Sequence, residues 1–356
     1  MYQGMRKQTD PFQVLVLSDG RPGHFNQSRG VVRALSECRL VQVSWLDVKL
    51  RCSLFRRLLG CMLNATRRRI SLFSLYSAYH ISQKLDVSPD LIISAGGNTL
   101  YANALLARFL ECRNLFAGNI RRLKERQFSG IITPDAAHTG NSRYIVAPTP
   151  TAIVPEEVQA SARDYRLQYG LSDERTWVLL VGGNGGGIRY QADDWTNLCA
   201  AMKNLAETYD IRWLVITSRR TGKRVESILA KNLDCCWVSR LERYSHGHPS
   251  SYKAILGCGE RLFCTEDSSM MVVEGVAAGR MVETLRPEHA TLDFLNQQVL
   301  DRYVERQLIV QRTFEQFGEL GYSVPRPGCF PESQVDSLAR KLDHWLEETS
   351  SNGMSS

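Results

Sequence analysis

The chain has 356 residues, 43% hydrophobic and 23% charged, a balance that excludes intrinsic disorder and at this length favours two domains over one core. No apolar run approaches the roughly 18 residues of a transmembrane helix, and the polar stretch 1–11 lacks the apolar centre of a secretory signal, so a cytoplasmic location is expected. The net charge of +7 is not matched by any aromatic-basic recognition motif, which argues against nucleic acid as a partner.

Strand and helix patterns alternate from the start. Residues 14–17 (VLVL) read as a buried strand, closed by the loop from Ser18 to Gly23 and followed by a helix over 26–36. From 48 to 85 there is no Asp or Glu. That stretch carries Lys49, Arg51, Arg56, Arg57, Arg67, Arg68, Arg69 and Lys84 among bulky apolar residues such as Leu54, Leu58, Ile70 and Phe73. Helical spacing of this kind suits an anionic membrane surface or acidic lipid head group, and equally an ordinary helix with a solvated basic face. Residues 91–94 (LIIS) form the next strand, with Ala95-Gly96-Gly97-Asn98 as the turn and a helix from Thr99. Residues 131–133 and 144–146 are further short strands.

The proline-rich segment 148–155 marks a linker. A second series follows: strand 177–181, a glycine loop, helix 195–207, strand 213–217, a helix from Gly222, strand 261–264, helix 269–278 and strand 281–285. Two such series predict two tandem Rossmann-like, doubly wound α/β domains, over 11–150 and 165–325, with ligands at the carboxyl ends of the strands. An amphipathic helix over 332–348 is expected to pack back on the first domain, and 350–356 is a loose tail. The ten cysteines are scattered without any Cys-x-x-Cys pair, so reduced core thiols are expected rather than zinc or disulfide frameworks.

Three segments of the second half carry chemistry. The loop 182–187 has five glycines in six residues, including Gly183, Gly185 and Gly186 beside Asn184, which lets backbone amides approach an anion. Its spacing matches neither the dinucleotide fingerprint nor a P-loop, and a purely structural tight turn would need fewer glycines. Ser218, Arg219, Arg220 and Thr221 follow the next strand and offer hydroxyls and guanidinium groups to a diphosphate, or a solvated capping turn. Asp267, Ser268 and Ser269 open a helix in which Glu274 stands one turn on, suited to a ribose, while Asp267 and Ser268 also suit a plain cap.

The run 265–279, with 182–187 and 218–222, resembles the Elm-type mitochondrial fission family, whose bacterial members are regarded as glycosyltransferases of the two-domain GT-B fold. The resemblance spans about 17–287. Residues 274–279 are also similar to the ribose-holding segment of the peptidoglycan GlcNAc transferase. It implies a cleft between the domains, Glu274 as ribose ligand, and the serines and glycine loop on the diphosphate. Asp19, Gly20, Gly23, Asn26 and Gln27 match the family's opening loop, and Gly23-His24 resembles the Gly-His of the peptidoglycan enzyme. Where the family is expected to carry a His-Asp pair after a strand, this chain reads Pro134-Asp135-Ala136-Ala137-His138, with the elements displaced.

Sugar transfer to a hydroxyl needs a base and a stabilised diphosphate leaving group. Asp19 or His24 is the expected base, with Asp135 and His138 in reserve; Arg219, Arg220 and the loop amides are expected on the leaving group. No Asp-x-Asp site accompanies these motifs, and Asp193-Asp194 reads as a helix start, so no metal cofactor is expected. The reading is a nucleotide-sugar glycosyltransferase acting on a lipid-linked or cell-envelope glycan at the cytosolic membrane face. The alternatives are a hydrolysing nucleotide-sugar epimerase and, from the eukaryotic members' recruitment of dynamin-like fission proteins, a non-enzymatic membrane-associated scaffold.

Overall fold

The computed structural model describes residues 10–65, 72–81, 88–171, 174–247, 251–321 and 333–351. The chain divides into two units, residues 1–152 with 332–356, and residues 153–331.

The first unit runs β1 (Phe12–Ser18), α1 (Pro22–Cys38), β2 (Val41–Leu50), α2 (Leu54–Ala65), α3 (Leu72–Ala78), β3 (Tyr79–Ile81), β4 (Leu91–Ala95), α4 (Leu100–Leu110), β5 (Arg113–Ala117), β6 (Gly130–Thr133) and β7 (Tyr144–Val146). Its sheet has the order β3-β2-β1-β4-β5-β6-β7, and β3 alone is antiparallel to its neighbour. β4 and the last five residues of β1 are buried on both faces, as central strands of a parallel sheet are. Chain order therefore reverses between β1 and β4, which opens a crevice at their carboxyl ends.

α1 begins at Pro22, four residues before the start expected from the pattern, because proline's fixed φ suits the first helical turn. That extension brings His24 onto the helix. Gly30 of α1 lies so close to the Thr151 backbone that a Cβ there would collide with it.

The basic stretch is divided: β2 continues to Leu50, and α2, α3 and β3 follow. Leu59, Leu63, Leu75, Ala78 and Tyr79 turn inward to one core cluster, so most of its apolar content is ordinary core. Arg67, Arg68, Arg69, Ile70 and Lys84 lie outside the described residues.

The second unit runs α5 (Pro155–Gln168), β8 (Thr176–Val181), α6 (Ala192–Tyr209), β9 (Arg212–Thr217), α7 (Gly222–Asn232), β10 (Val238–Glu242), α8 (Tyr252–Cys258), β11 (Arg261–Thr265), α9 (Ser269–Ala277), β12 (Val282–Arg286), α10 (Phe294–Glu305), β13 (Ile309–Thr313) and α11 (Phe314–Gly318). All its strand pairs are parallel, in the order β10-β9-β8-β11-β12-β13, so the reversal falls between β8 and β11. β8 is buried throughout, with one core cluster on each side of the sheet. α5 belongs to this unit: Val158, Ala162 and Tyr165 enter its core, and the Tyr165 hydroxyl donates to Glu242 at 2.9 Å.

The chain then returns to the first unit as α12 (Gln334–Ser351), where Leu338, Leu342, Trp345 and Leu346 are buried. Arg39 pairs with Asp343 at 2.7 Å, and Gly130 leaves room for the Trp345 ring. The cysteines correct the expectation of core thiols. Cys199, Cys258 and Cys264 are buried and Cys38 and Cys112 half-buried, but Cys52, Cys61, Cys235 and Cys236 are exposed; Cys329 lies outside the described residues. No described helix is long and apolar enough to cross a membrane.

Candidate functional site

At the β1/β4 reversal the first unit assembles a carboxylate and an imidazole. Asp19 follows β1 directly, and its side chain is only 2% exposed. Both of its oxygens lie 3.0 Å from His24 Nδ1, Asn98 Nδ2 donates to Oδ2 at 2.9 Å, and the Arg21 amide donates to Oδ1 at 3.2 Å. Burial pushes the Asp19 pKa up. The hydrogen bond and charge of His24, with the donors from Arg21 and Asn98, outweigh that and hold it below the ordinary carboxylate range.

The His24 ring, 27% exposed, rests on Gly96, where any Cβ would collide with it; that glycine also has φ +85°. With Nδ1 committed to Asp19, Nε2 is the nitrogen left to exchange a proton with a reactant. The two expected bases thus differ in setting: the Asp19 carboxylate is buried against the imidazole, and the His24 ring is partly exposed.

Asn98 was not foreseen as a site residue. Its side chain bridges Asp19 and Arg56, whose Nη2 donates to Asn98 Oδ1 at 2.7 Å, and its carbonyl accepts from Tyr79 at 2.7 Å. The polar end of the Gly-Gly-Asn turn was the signal available. Asp135 and His138 are not brought to this cluster. They follow β6, two strands or about 10 Å from β4 along the same edge. Asp135 caps its own turn by accepting from the Ala137 amide at 3.1 Å, and His138 stacks on Tyr144 with ring centroids 3.9 Å apart.

At the β8/β11 reversal the second unit brings its three motifs together around Asp267. The Asp267 side chain is fully buried; its Oδ2 accepts from the Gly183 amide at 2.9 Å and from Arg220 Nη2 at 2.8 Å, and Oδ1 from the Tyr190 hydroxyl at 3.1 Å. Burial pushes its pKa up to about 6, against the opposing pull of Arg220 and these donors. The glycines follow from this packing. A Cβ on Gly182 would strike the Asp267 carboxylate, one on Gly183 the Arg220 carbonyl, and one on Gly187 the Asp293 amide. Gly182 donates to Thr265 Oγ1 at 2.7 Å, and Gly185 exchanges two hydrogen bonds with Ile188. Asn184 Oδ1 accepts from the Tyr190 amide at 2.9 Å. The amides of Gly186 and Gly187 have no partner among the described residues.

Thr221 works as a staple: its hydroxyl accepts from the Ser218 amide at 2.9 Å and donates to the Val181 carbonyl at 2.9 Å. Ser218 Oγ accepts from the Arg220 amide at 3.2 Å, while Arg219 is exposed. Neither Asp267 nor Ser268 caps α9; Ser268 makes no side-chain cap bond, so the helix presents its first turn, with Ser269, uncapped. Glu274, buried on α9, accepts from the Tyr252 hydroxyl at 2.7 Å. Tyr190 and Tyr252 went unforeseen, and Thr265 was read only as the start of the run 265–279. The two tyrosines are lone aromatics whose partners are 77 and 22 residues away in sequence.

Asp194 closes a capping box with Gln191, in keeping with a helix start. Among the described residues the group offering three metal donors is Asp234, Cys235 and Cys236, exposed before β10 at the opposite edge from the reversal.

Several solved structures share the fold. UDP-GlcNAc 2-epimerase from Neisseria meningitidis bound to UDP-GlcNAc matches at 14% identity and TM-score 0.54, covering 95% of this chain and 100% of that one. A putative UDP-N-acetylglucosamine 2-epimerase from Listeria monocytogenes matches at 11% and 0.56, covering 93% and 91%. UDP-GlcNAc 2-epimerase from Methanocaldococcus jannaschii matches at 13% and 0.51, covering 94% and 100%. No protein of curated function matches the sequence. The sequence does match the family described as Mitochondrial fission ELM1 over residues 22–316, and the chain belongs to that family.

Proposed function

We propose that the protein is a glycosyltransferase that takes its donor, a nucleotide sugar, on the second unit and activates the acceptor hydroxyl on the first. The observation that carries this reading is the convergence of 182–187, 218–221 and 265–269 on one reversal point, with Arg220 fixed there and the start of α9 uncapped. Uncapped helix amides, the Gly186 and Gly187 amides and the guanidinium group suit a diphosphate, and Glu274 suits the ribose. The similar structures named for UDP-GlcNAc enzymes are in keeping with such a ligand. In such a transfer the acceptor oxygen bonds to the anomeric carbon as the bond from that carbon to the diphosphate breaks, its electron pair leaving with the diphosphate. On the first unit His24 Nε2 suits taking the acceptor proton; on the second, Arg220 and the amides suit the departing charge. No step in this scheme calls for a metal.

The acceptor is taken from a membrane. On α2 and α3, Leu58 and Phe73 are 57% and 78% exposed, and Leu54 and Tyr76 are exposed beside them. Arg51 and Arg57 are exposed in the same acid-free stretch, which suits an anionic bilayer. Flotation with phosphatidylglycerol-containing vesicles, and not with neutral ones, is expected, and L58E/F73E abolishes it.

A thermal-shift screen of nucleoside diphosphates and nucleotide sugars tests the donor reading, on wild type, Glu274→Ala and Glu274→Gln. Stabilisation by one nucleotide, reduced in both variants, supports it through ligand linkage. No shift with any nucleotide sinks it. Conversion of a nucleotide sugar without any acceptor would instead identify an epimerase.

A further inference from the structure

The turn at residues 96–98 of the first unit carries one side chain from elsewhere on each of its residues. His24 lies on Gly96. On Gly97 lies the guanidinium of Arg121, close enough that a Cβ would stand 2.8 Å from its Nε. Arg56 Nη2 bonds Asn98 at 2.7 Å. Arg39, Arg175, Arg212, Arg261 and Arg286 each pair with a carboxylate, whereas Arg56 and Arg121 have no carboxylate partner among the described residues. Arg56 Nε is in addition buried without a hydrogen-bond partner. Asp19, which Asn98 links to Arg56, is itself buried and engaged by His24 and Asn98.

The backbone adds to this. α4 starts immediately after the turn without a side-chain cap, because the Thr99 hydroxyl donates back to the Ala95 carbonyl at 2.9 Å. Arg121 sits in the left-handed region at φ 53°, secured by its amide donating to Asn119 at 2.7 Å. Two guanidinium groups without a carboxylate partner, one on the Gly97 backbone and one on the neighbouring Asn98 side chain, offer a fork for phosphate oxygens.

We infer that this turn binds the phosphate or diphosphate of a phosphate-bearing acceptor, held by Arg56 and Arg121 so that its hydroxyl meets His24. This deepens the transferase reading and rests on it. It specifies the acceptor's chemistry, a sugar hydroxyl beside a phosphate, which a sugar linked to a lipid phosphate and a soluble sugar phosphate share. The group is only bound here; no bond to phosphorus forms or breaks.

The test is calorimetric titration of inorganic pyrophosphate into the full chain, for wild type, Arg56→Ala, Arg121→Ala and Arg220→Ala. Arg121 is exposed, so its loss leaves the fold intact. A pyrophosphate site weakened about tenfold or more in Arg121→Ala and Arg56→Ala, yet kept in Arg220→Ala, supports the inference. Unchanged binding in Arg121→Ala, or loss of all binding in Arg220→Ala, overturns it. Competition with a hexose phosphate and with a short-chain prenyl phosphate then names the source, and displacement by neither also overturns it. Nucleotide stabilisation is read separately on Glu274→Ala. The donor reading can therefore fail while the anion site stands, and the reverse.

Discussion

Both units reverse strand order beside their first strand and place a buried carboxylate there, yet the two carboxylates are driven in opposite directions. Asp19 is held below its ordinary pKa because an imidazole and neutral donors answer its charge, and its burial serves to aim His24. Asp267 is pushed up to about 6 because burial outweighs Arg220, and its role is to lock a glycine loop and a guanidinium in place. One architecture thus yields a partly exposed imidazole held by a carboxylate in one unit and a glycine loop packed on a carboxylate in the other. Environment rather than residue type sets the difference.

The largest effect that would sharpen this contrast is on turnover. His24→Ala is expected to lower sugar transfer by about 10²- to 10⁴-fold with nucleotide affinity unchanged, and Asp19→Asn by less. Steady-state rates beside binding isotherms read the split, and equal loss in both would break the comparison.

Stability comes next. In Gly183→Ala the new Cβ meets the Arg220 backbone, which has little room to give, so about 1–3 kcal/mol is lost on denaturation. In Gly97→Ala it meets the movable Arg121 side chain, so the cost stays under about 1 kcal/mol.

A smaller effect is on pH dependence. An ionised Asp267 opposes a bound diphosphate, so binding favours the protonated form, and affinity for a nucleotide sugar is expected to rise as pH falls from 8 towards 6. The limit is about tenfold per unit, since one proton is involved. The diphosphate diester of a nucleotide sugar does not titrate there, and the charged or ionisable groups facing Asp267 are Arg220, Tyr190 and Cys264. Asp267→Asn should flatten the profile; a slope that persists would place the titration elsewhere. For stability the sign is the same: a raised carboxylate pKa favours the fold below about 4 and loses that contribution as pH rises through about 6.

The smallest difference separates two helix starts. Ser268→Ala is expected within about 0.5 kcal/mol of wild type because no cap bond is lost. Thr313→Ala, which breaks a capping box at α11, should cost about 1 kcal/mol.

The doubly wound fold was legible because buried parallel strands are continuous apolar runs, as 14–17 and 177–181 are. β2 escaped the reading because its apolar residues alternate with Gln42, Ser44 and Asp47, and α5 because its apolar positions are sparse. The glycine loop was legible as unusual, but its reason was not. Gly182 and Gly183 make room for Asp267 and for the Arg220 backbone, and those contacts bridge loops 37 to 85 residues apart in sequence. The Asp19–His24 pair was visible because its members stand five residues apart in sequence. Asn98, Arg56 and Arg121 were not, since only the fold brings α2 and the loop after β5 to the turn at 96–98.

Hydrogen exchange with and without a saturating nucleotide sugar tests the division of labour most directly. The account predicts slowed exchange in 182–188, 218–222 and 265–275, with 95–99 protected only when a phosphate-bearing acceptor is added. Protection confined to the first unit, with the three loops of the second unchanged, would contradict it.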